Sequence, residues 1–340
     1  MTSPGASPLL TRPGAVGGDG LDAGVAAHYG DPIREQRLLT EGLAVVDLCN
    51  RGVVRIKGGD RLRWLHSITS QHLLDLSPRE SAESLVLSPK GHIEHALHVV
   101  DDGEATWLSV EPGTSESLTQ WLDRMRFLLD VCVEDVSPDY GVLGEARRAA
   151  GLAGEPVTWV DPWPGPVGDT AIYSDADPHP GAERTWRELM VPRAELDAAV
   201  GDRPLAGLWA AEALRVAAWR PRLGAETDHR TIPPELDWLR TAVHLHKGCY
   251  RGQETIARVH NLGRPPRRLV FCHLDGSGHV LPDAQTPLTL DGRPIGRLTS
   301  VARHYEQGPI ALGVIKRNVP VDAVLDAAGI AAAQTTIVTA

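Results

Sequence analysis

The stretch Lys247-Gly-Cys-Tyr-Arg-Gly-Gln-Glu254 packs a lysine, a thiol, an amide and a carboxylate around two glycines. Gly248 and Gly252 permit backbone shapes closed to other residues, or close approach of another group. The run Gln253–Val259 reads as helix, which places Cys249 just before a helix N-terminus. There the helix dipole and Lys247 would lower the thiol's pKa and favour the thiolate. The alternative is a buried structural cysteine in a turn. Lysine is scarce, standing only at Lys57, Lys90, Lys247 and Lys316 beside thirty arginines. Lys247 therefore marks a place that suits a compact ammonium rather than a guanidinium.

Outward from this stretch the pattern is antiparallel α+β. Gly52–Lys57 alternates as a strand, and Asp60 caps a helix carrying Leu62, Leu65 and Ile68. Ser84–Leu87, Ile93–Val100 and Thr106–Val110 read as strands. Ser115–Asp130 reads as a helix with Leu118, Trp121, Leu122, Met125, Leu128 and Leu129 on one stripe. Val131–Val136 is a further strand. Residues 151–184 are turn-rich, with short strands near Thr158–Val160 and Ala171–Tyr173. Trp186–Met190 reads as a strand, and Pro192–Val200 and Leu205–Ala218 as helices. From Arg268 onward, short strands broken at Asp275-Gly276, Asp291-Gly292 and Gly308-Pro309 predict a small barrel or sandwich. About the first 30 residues, rich in Gly and Pro, read as a disordered tail.

Composition narrows the function. The 340 residues suffice for two or three domains. The 34 Gly and 26 Pro point to many turns and exclude a plain helical bundle. A net charge of −10 disfavours direct nucleic-acid binding. No apolar run approaches the ~20 residues of a membrane helix, so no membrane partner is expected. Cys49, Cys132, Cys249 and Cys272 stand far apart, which fits a reducing compartment, and the expected location is the cytoplasm. P-loop, dinucleotide and hydrolase-elbow motifs are absent from the sequence. His92, His95 and His98 cannot converge from one regular strand. His244, His246 and Cys249 supply three ligands at most, so no metal site is expected. Trp209, Trp219 and Trp238 approach the motif and offer faces for a flat heterocycle or for core packing.

The motif, continuing through Ala257-Arg258, resembles the signature of the YgfZ family of folate-binding proteins. These are relatives of the glycine-cleavage T-protein, an aminomethyltransferase. Val54–Thr69, Ala211-Glu-Ala-Leu-Arg215 followed by Pro233-Pro-Glu235, and Gly292–Ser300 are similar to further family segments, so the resemblance runs from about residue 36 to the end. It implies a T-protein-like α+β fold: a folate-binding region over 36–262 and a C-terminal β-barrel over 263–340. The folate-binding region divides near 36–140, ferredoxin-like, and 141–262, a second antiparallel α+β part.

The resemblance further implies tetrahydrofolate or a derivative as cofactor. The implied role is accessory, supporting assembly or maintenance of iron–sulfur enzymes, including tRNA-modifying ones. Iron–sulfur proteins or their assembly factors are the implied partners of a monomer. A folate-dependent one-carbon transferase or demethylase is the alternative, and a classical enzyme is the lesser expectation. By position, Cys249 and Lys247 carry the chemistry. Tyr250, Gly252, Gln253, Glu254, Arg258, Arg215 and Trp219 are motif or folate-side residues. Two acids of the T-protein are missing: His95-Ala96 stands in place of its aspartate pair, and Ala217 in place of its folate-side glutamate. No aminomethyltransferase activity is therefore expected.

Overall fold

A computed structural model describes residues 6–147 and 155–339. Among the described residues the sheets are two of five strands, a closed six-stranded barrel and a small two-stranded ribbon near the N-terminus. The first sheet runs Ser81–Leu87, Ile93–Asp101, Ala105–Val110, Gly52–Lys57, Cys132–Asp135, antiparallel throughout. Its last four strands keep the ferredoxin-like order, with Ser81–Leu87 added at one edge. Helices Arg61–Ile68 and Ser115–Met125 cover one face, burying Trp64, Leu65, Leu118 and Leu122 against Val54, Ile56, Leu97 and Leu108.

The second sheet runs Val157–Val160, Arg187–Pro192, Tyr140–Glu145, Val45–Asp47, Leu205–Ala206. Only its last pair is parallel. Because Val45–Asp47 pairs with Tyr140–Glu145, the chain begins in the second sheet, leaves to build the first, and returns. A division at residue 140 does not follow this topology. The barrel closes as Arg267–Leu274, Gly308–Lys316, Arg293–His304, Pro287–Leu290, Val324–Ala327, Ile330–Thr336, and back to the first of these. Helix Leu208–Ala217 lies between the second sheet and the barrel strand Arg293–His304. A shared core joins the first sheet, helix Leu208–Ala217 and the barrel through Leu87, Val216, Trp238, Ile256 and Phe271.

Several expectations are corrected. Residues 1–5 lie outside the described residues, but 6–30 are ordered rather than a tail. Ser7 caps a short 3-10 turn, Val16–Gly17 pairs with Ala26–His28, and Leu9 and Val25 are fully buried in the second sheet's core. The Glu35 carboxylate ties this segment down, accepting from the Tyr29 and Gly207 amides at 2.8 Å each. Its glycines make turns around buried anchors, which composition alone does not reveal. The Ser115 helix ends at Met125. Phe127 takes a positive φ and Leu128 is fully exposed, so the apolar stripe is cut short. The Leu205–Ala218 helix is interrupted by Leu205–Ala206 joining the sheet, and the helix begins after Gly207, whose Cβ would lie 2.2 Å from the Ala27 carbonyl oxygen. Among the described residues no helix is long and apolar enough to cross a membrane.

Candidate functional site

The motif forms a tight loop clamped to the first sheet. Gly248 and Gly252 have φ of +99° and +84°, a left-handed backbone that glycine adopts without penalty. At Gly252 close approach adds to the requirement: a Cβ would sit 2.5 Å from the Ser88 carbonyl oxygen and 3.0 Å from Gly91 Cα. The helix Gln253–Leu262 starts there as expected. Gln253 reaches back so that its Oε1 accepts from the Tyr250 amide at 3.0 Å, which closes the loop ahead of the helix. Arg251 pairs with Glu94 at 3.0 Å and lies over the Trp121 ring. Between the two glycines Cys249 is exposed, so it is not the buried turn cysteine of the alternative reading.

Lys247 behaves differently from its expected role. Its ammonium donates to the carbonyls of His66 and Thr69, the latter at 2.8 Å, and sits 5.1 Å from the Tyr250 ring centroid. It thus caps the C-terminal end of helix Arg61–Ile68, where a cation meets the negative end of the dipole. Its hydrogen bonds run to these carbonyls rather than to the Cys249 thiol. Burial lowers its pKa to about 8. The Leu73 amide donates to His66 Nδ1, so His66 Nε2 carries the proton donated to the Lys247 carbonyl at 3.2 Å. His66, His72 and His244 stand in a row, ring centroids 4.7 and 5.4 Å apart. Among the described residues no group of three His, Cys, Asp or Glu is arranged to hold a metal ion. Glu254 and Arg258 lie on the exposed side of the motif helix. Tyr250 is buried, and desolvation raises its phenol to about 12.

A second feature, a cavity of ≈ 70 Å³, lies where the two sheets meet helix Leu208–Ala217. Sequence reasoning missed most of its lining. Arg51 donates to Glu111 at 2.7 Å and Ser109 at 2.8 Å, and lies 3.4 Å from Glu188. His98 stacks flat on Trp159, centroids 3.7 Å apart, with Nδ1 2.9 Å from Glu188 Oε2. Arg222 pairs with Glu111 at 2.9 Å and with Asp22 of the N-terminal segment at 3.0 Å. Arg184 and Arg220 share Asp161, and Arg220 also holds Glu83 at 2.6 Å. Arg215 is placed here too, bound to Glu212, Glu226 and Ser300. Burial alone would raise the Glu111 carboxyl, but Arg222 and Arg51 outweigh it and hold it near about 2. The same contest, with Arg51 and His98, keeps Glu188 well below the usual range.

Ala96 lines the cavity and Trp219 does not; Trp219 packs in the shared core, 6.0 Å from Phe271. Two buried polar atoms of the lining have no partner among the described residues: Arg220 Nη1, a donor, and Asn50 Oδ1, an acceptor. The signal that could have found this network is the charge set inside apolar strands, His98 and Glu188, together with Arg220-Pro-Arg222.

The chain shares its fold with a solved glycine-cleavage aminomethyltransferase, and sequence similarity points to aminomethyltransferase-like proteins. The solved aminomethyltransferase T of the Bartonella henselae glycine cleavage system superposes with a TM-score of 0.76 over 97% of this chain and 95% of that chain, at 17% identity. In sequence, the chain is 27% identical over 328 residues to the Arabidopsis thaliana protein named "Putative transferase At1g60990, chloroplastic", covering 89% of this chain and 72% of that protein. It is 24% identical over 305 residues to the aminomethyltransferase of Synechococcus sp. CC9902, covering 79% and 78%. No family model matches the chain.

Proposed function

We propose that this protein binds a reduced folate in the central cavity and acts as an accessory factor for iron–sulfur enzymes rather than in glycine cleavage. One observation carries the distinction from a transferase: each of Glu111, Asp161, Glu188 and Glu212, the carboxylates lining the cavity, is ion-paired to an arginine. General-base work needs a carboxyl free to take a proton near neutral pH. Carboxylates held ionised by guanidiniums do not offer one. Where the T-protein has acids, this chain presents His95, buried and neutral with its pKa lowered to about 4, apolar Ala96, and Ala217.

The lining suits a pterin in kind. Arg220 Nη1 and Asn50 Oδ1 await an acceptor and a donor, and the aromatic walls of Trp159, Trp186 and Trp238 suit a flat ring. A cavity of ≈ 70 Å³ is smaller than the ~150 Å³ that accommodates benzene in an engineered protein core, so entry requires displacement of the Asp22–Arg222 pair or of its neighbours. A bound folate carries one-carbon units; the residues here would orient the ring and exclude water. The iron–sulfur role, the cytoplasmic setting and the assembly-factor partners rest on the resemblance of the motif, supported by the exposure of Cys249. The test is titration of tetrahydrofolate followed by tryptophan fluorescence, with Arg220→Met as control. Saturable binding that the variant weakens supports the reading, and absence of binding at millimolar ligand removes it. Release of methylenetetrahydrofolate from an aminomethyl donor would establish the transferase instead. Complementation of a strain lacking the iron–sulfur accessory factor, by wild type but not by Cys249→Ala, tests the second half.

A further inference from the structure

At the far end of the motif helix, Arg258 and Val259 meet Gly263, Arg264 and Arg317 around an open concavity of ≈ 490 Å³. We propose that this is an oxyanion site that binds the phosphate group of a small ligand. It is independent of the folate reading and distinct from the central cavity.

The chain carries 44 acidic residues against 34 basic ones. Arg51, Arg215, Arg220 and Arg222 of the central cavity each pair with at least one carboxylate. Arg258, Arg264 and Arg317 come from three places, a helix, the turn after it and the end of a barrel strand. Among the described residues none of them has a carboxylate within ion-pair distance. Arg317 is fixed in place, its Nη1 donating to the Arg264 carbonyl at 3.1 Å and its amide to that of Pro266 at 3.2 Å. The residue is exposed.

A simpler account is that a basic residue near a helix C-terminus complements the dipole. That explains Arg258. It does not explain Arg317, which belongs to the barrel, or Arg264, which lies beyond the Gly263 cap. Like charges gathered without counter-charge repel one another, so a concave trio is favourable once an anion fills it. Guanidinium forks match phosphate oxygens in pairs, and three forks exceed what one carboxylate can accept. A nucleic-acid track would need a basic stripe along a face, and a chain of net charge −10 would repel an extended polyanion.

The test titrates inorganic pyrophosphate and phosphate into the full chain at constant ionic strength, by calorimetry and ³¹P line width. One saturable site is expected. The double variant Arg264→Gln/Arg317→Gln should weaken it at least about tenfold, since charge-assisted bonds are the strong ones. Arg124→Gln, an exposed arginine elsewhere, should leave it unchanged. Tetrahydrofolate binding should be unaffected by the double variant, so failure of either proposal is separable from the other. Equal displacement by chloride at the same ionic strength, equal binding by the double variant, or tighter binding of a duplex oligonucleotide than of pyrophosphate would each overturn the proposal.

Discussion

Gly252 and Gly248 share a left-handed backbone but not an environment, and replacing each by alanine separates two contributions to the loop. At Gly248 a Cβ meets nothing within 4 Å, so Gly248→Ala bears only the left-handed penalty, about 1–2 kcal/mol. At Gly252 the same methyl meets the Ser88 carbonyl oxygen at 2.5 Å, with Gly91 Cα and Leu87 Cβ each at 3.0 Å. Two of these are backbone atoms in the turn between Ser81–Leu87 and Ile93–Asp101, so the loop must lift from the sheet. Overpacking of this kind adds roughly 1–3 kcal/mol, for a total of about 2–5 kcal/mol. At about 2 °C per kcal/mol for a chain of this size, the thermal midpoint should fall by roughly 4–10 °C for Gly252→Ala and 2–4 °C for Gly248→Ala. Gly91→Ala attacks the same contact from the other side, its Cβ 2.7 Å from Thr255 Cβ. Combined with Gly252→Ala it should therefore cost less than the sum. If Gly252→Ala proves as mild as Gly248→Ala, the loop is not confined by the Ser88 turn and the rigid presentation of Cys249 is wrong.

Alkylation at pH 7 should label Cys249 and Cys132, both exposed, and spare Cys49 and Cys272, which are buried with thiols raised by desolvation. Mass spectrometry that finds Cys49 or Cys272 modified in the folded protein would contradict this burial. Lys247→Met strands the His66 and Thr69 carbonyls and should destabilise by about 1–3 kcal/mol, read as a lower thermal midpoint; an unchanged midpoint would remove its capping role. Stability should also decline from pH 7.5 to 5. His95 and His179 are held neutral by burial, each with a pKa near about 4 against an unfolded value of about 6.5. The unfolded chain therefore binds more protons in that window, and the stability present above pH ~6.5 is lost as the pH falls toward 4. By pH 5 each contributes a loss of about 2 kcal/mol, while Asp237, raised by burial to about 6, offsets about 1 kcal/mol. A thermal midpoint that rises on acidification would refute the assignment.

The sequence made the motif turn legible because glycine is the residue that a positive φ selects, and the helix start at Gln253 followed from it. The barrel was legible through its turn dipeptides, and the first sheet through alternation and hairpin glycines. What stayed hidden depends on partners distant in the chain. Arg51, in the link that leads into the first sheet, faces Glu188 of the second, and neither position signals the other. The sequence marks Arg215 as a folate-side residue but gives no sign of its ties to Glu212 and Glu226, which make it part of an ion-pair network. The N-terminal segment looked unstructured because a few buried anchors such as Leu9 and Val25 outweigh many glycines. Cys132 reads as a buried strand residue, yet it begins an edge strand and is exposed.

The return of the chain to the second sheet bears on how the protein is made. Val45–Asp47 leaves the ribosome early, but its antiparallel partner Tyr140–Glu145 and its parallel partner Leu205–Ala206 come much later. The whole first sheet, with its own core, is synthesised in between and can close on local contacts. The second sheet, which also buries Leu9 and Val25, has to wait with apolar strands unpaired. The nascent chain should therefore pass through a stage with one sheet folded and both edges of Val45–Asp47 open. Such a species calls for chaperone protection until residue 206 has emerged.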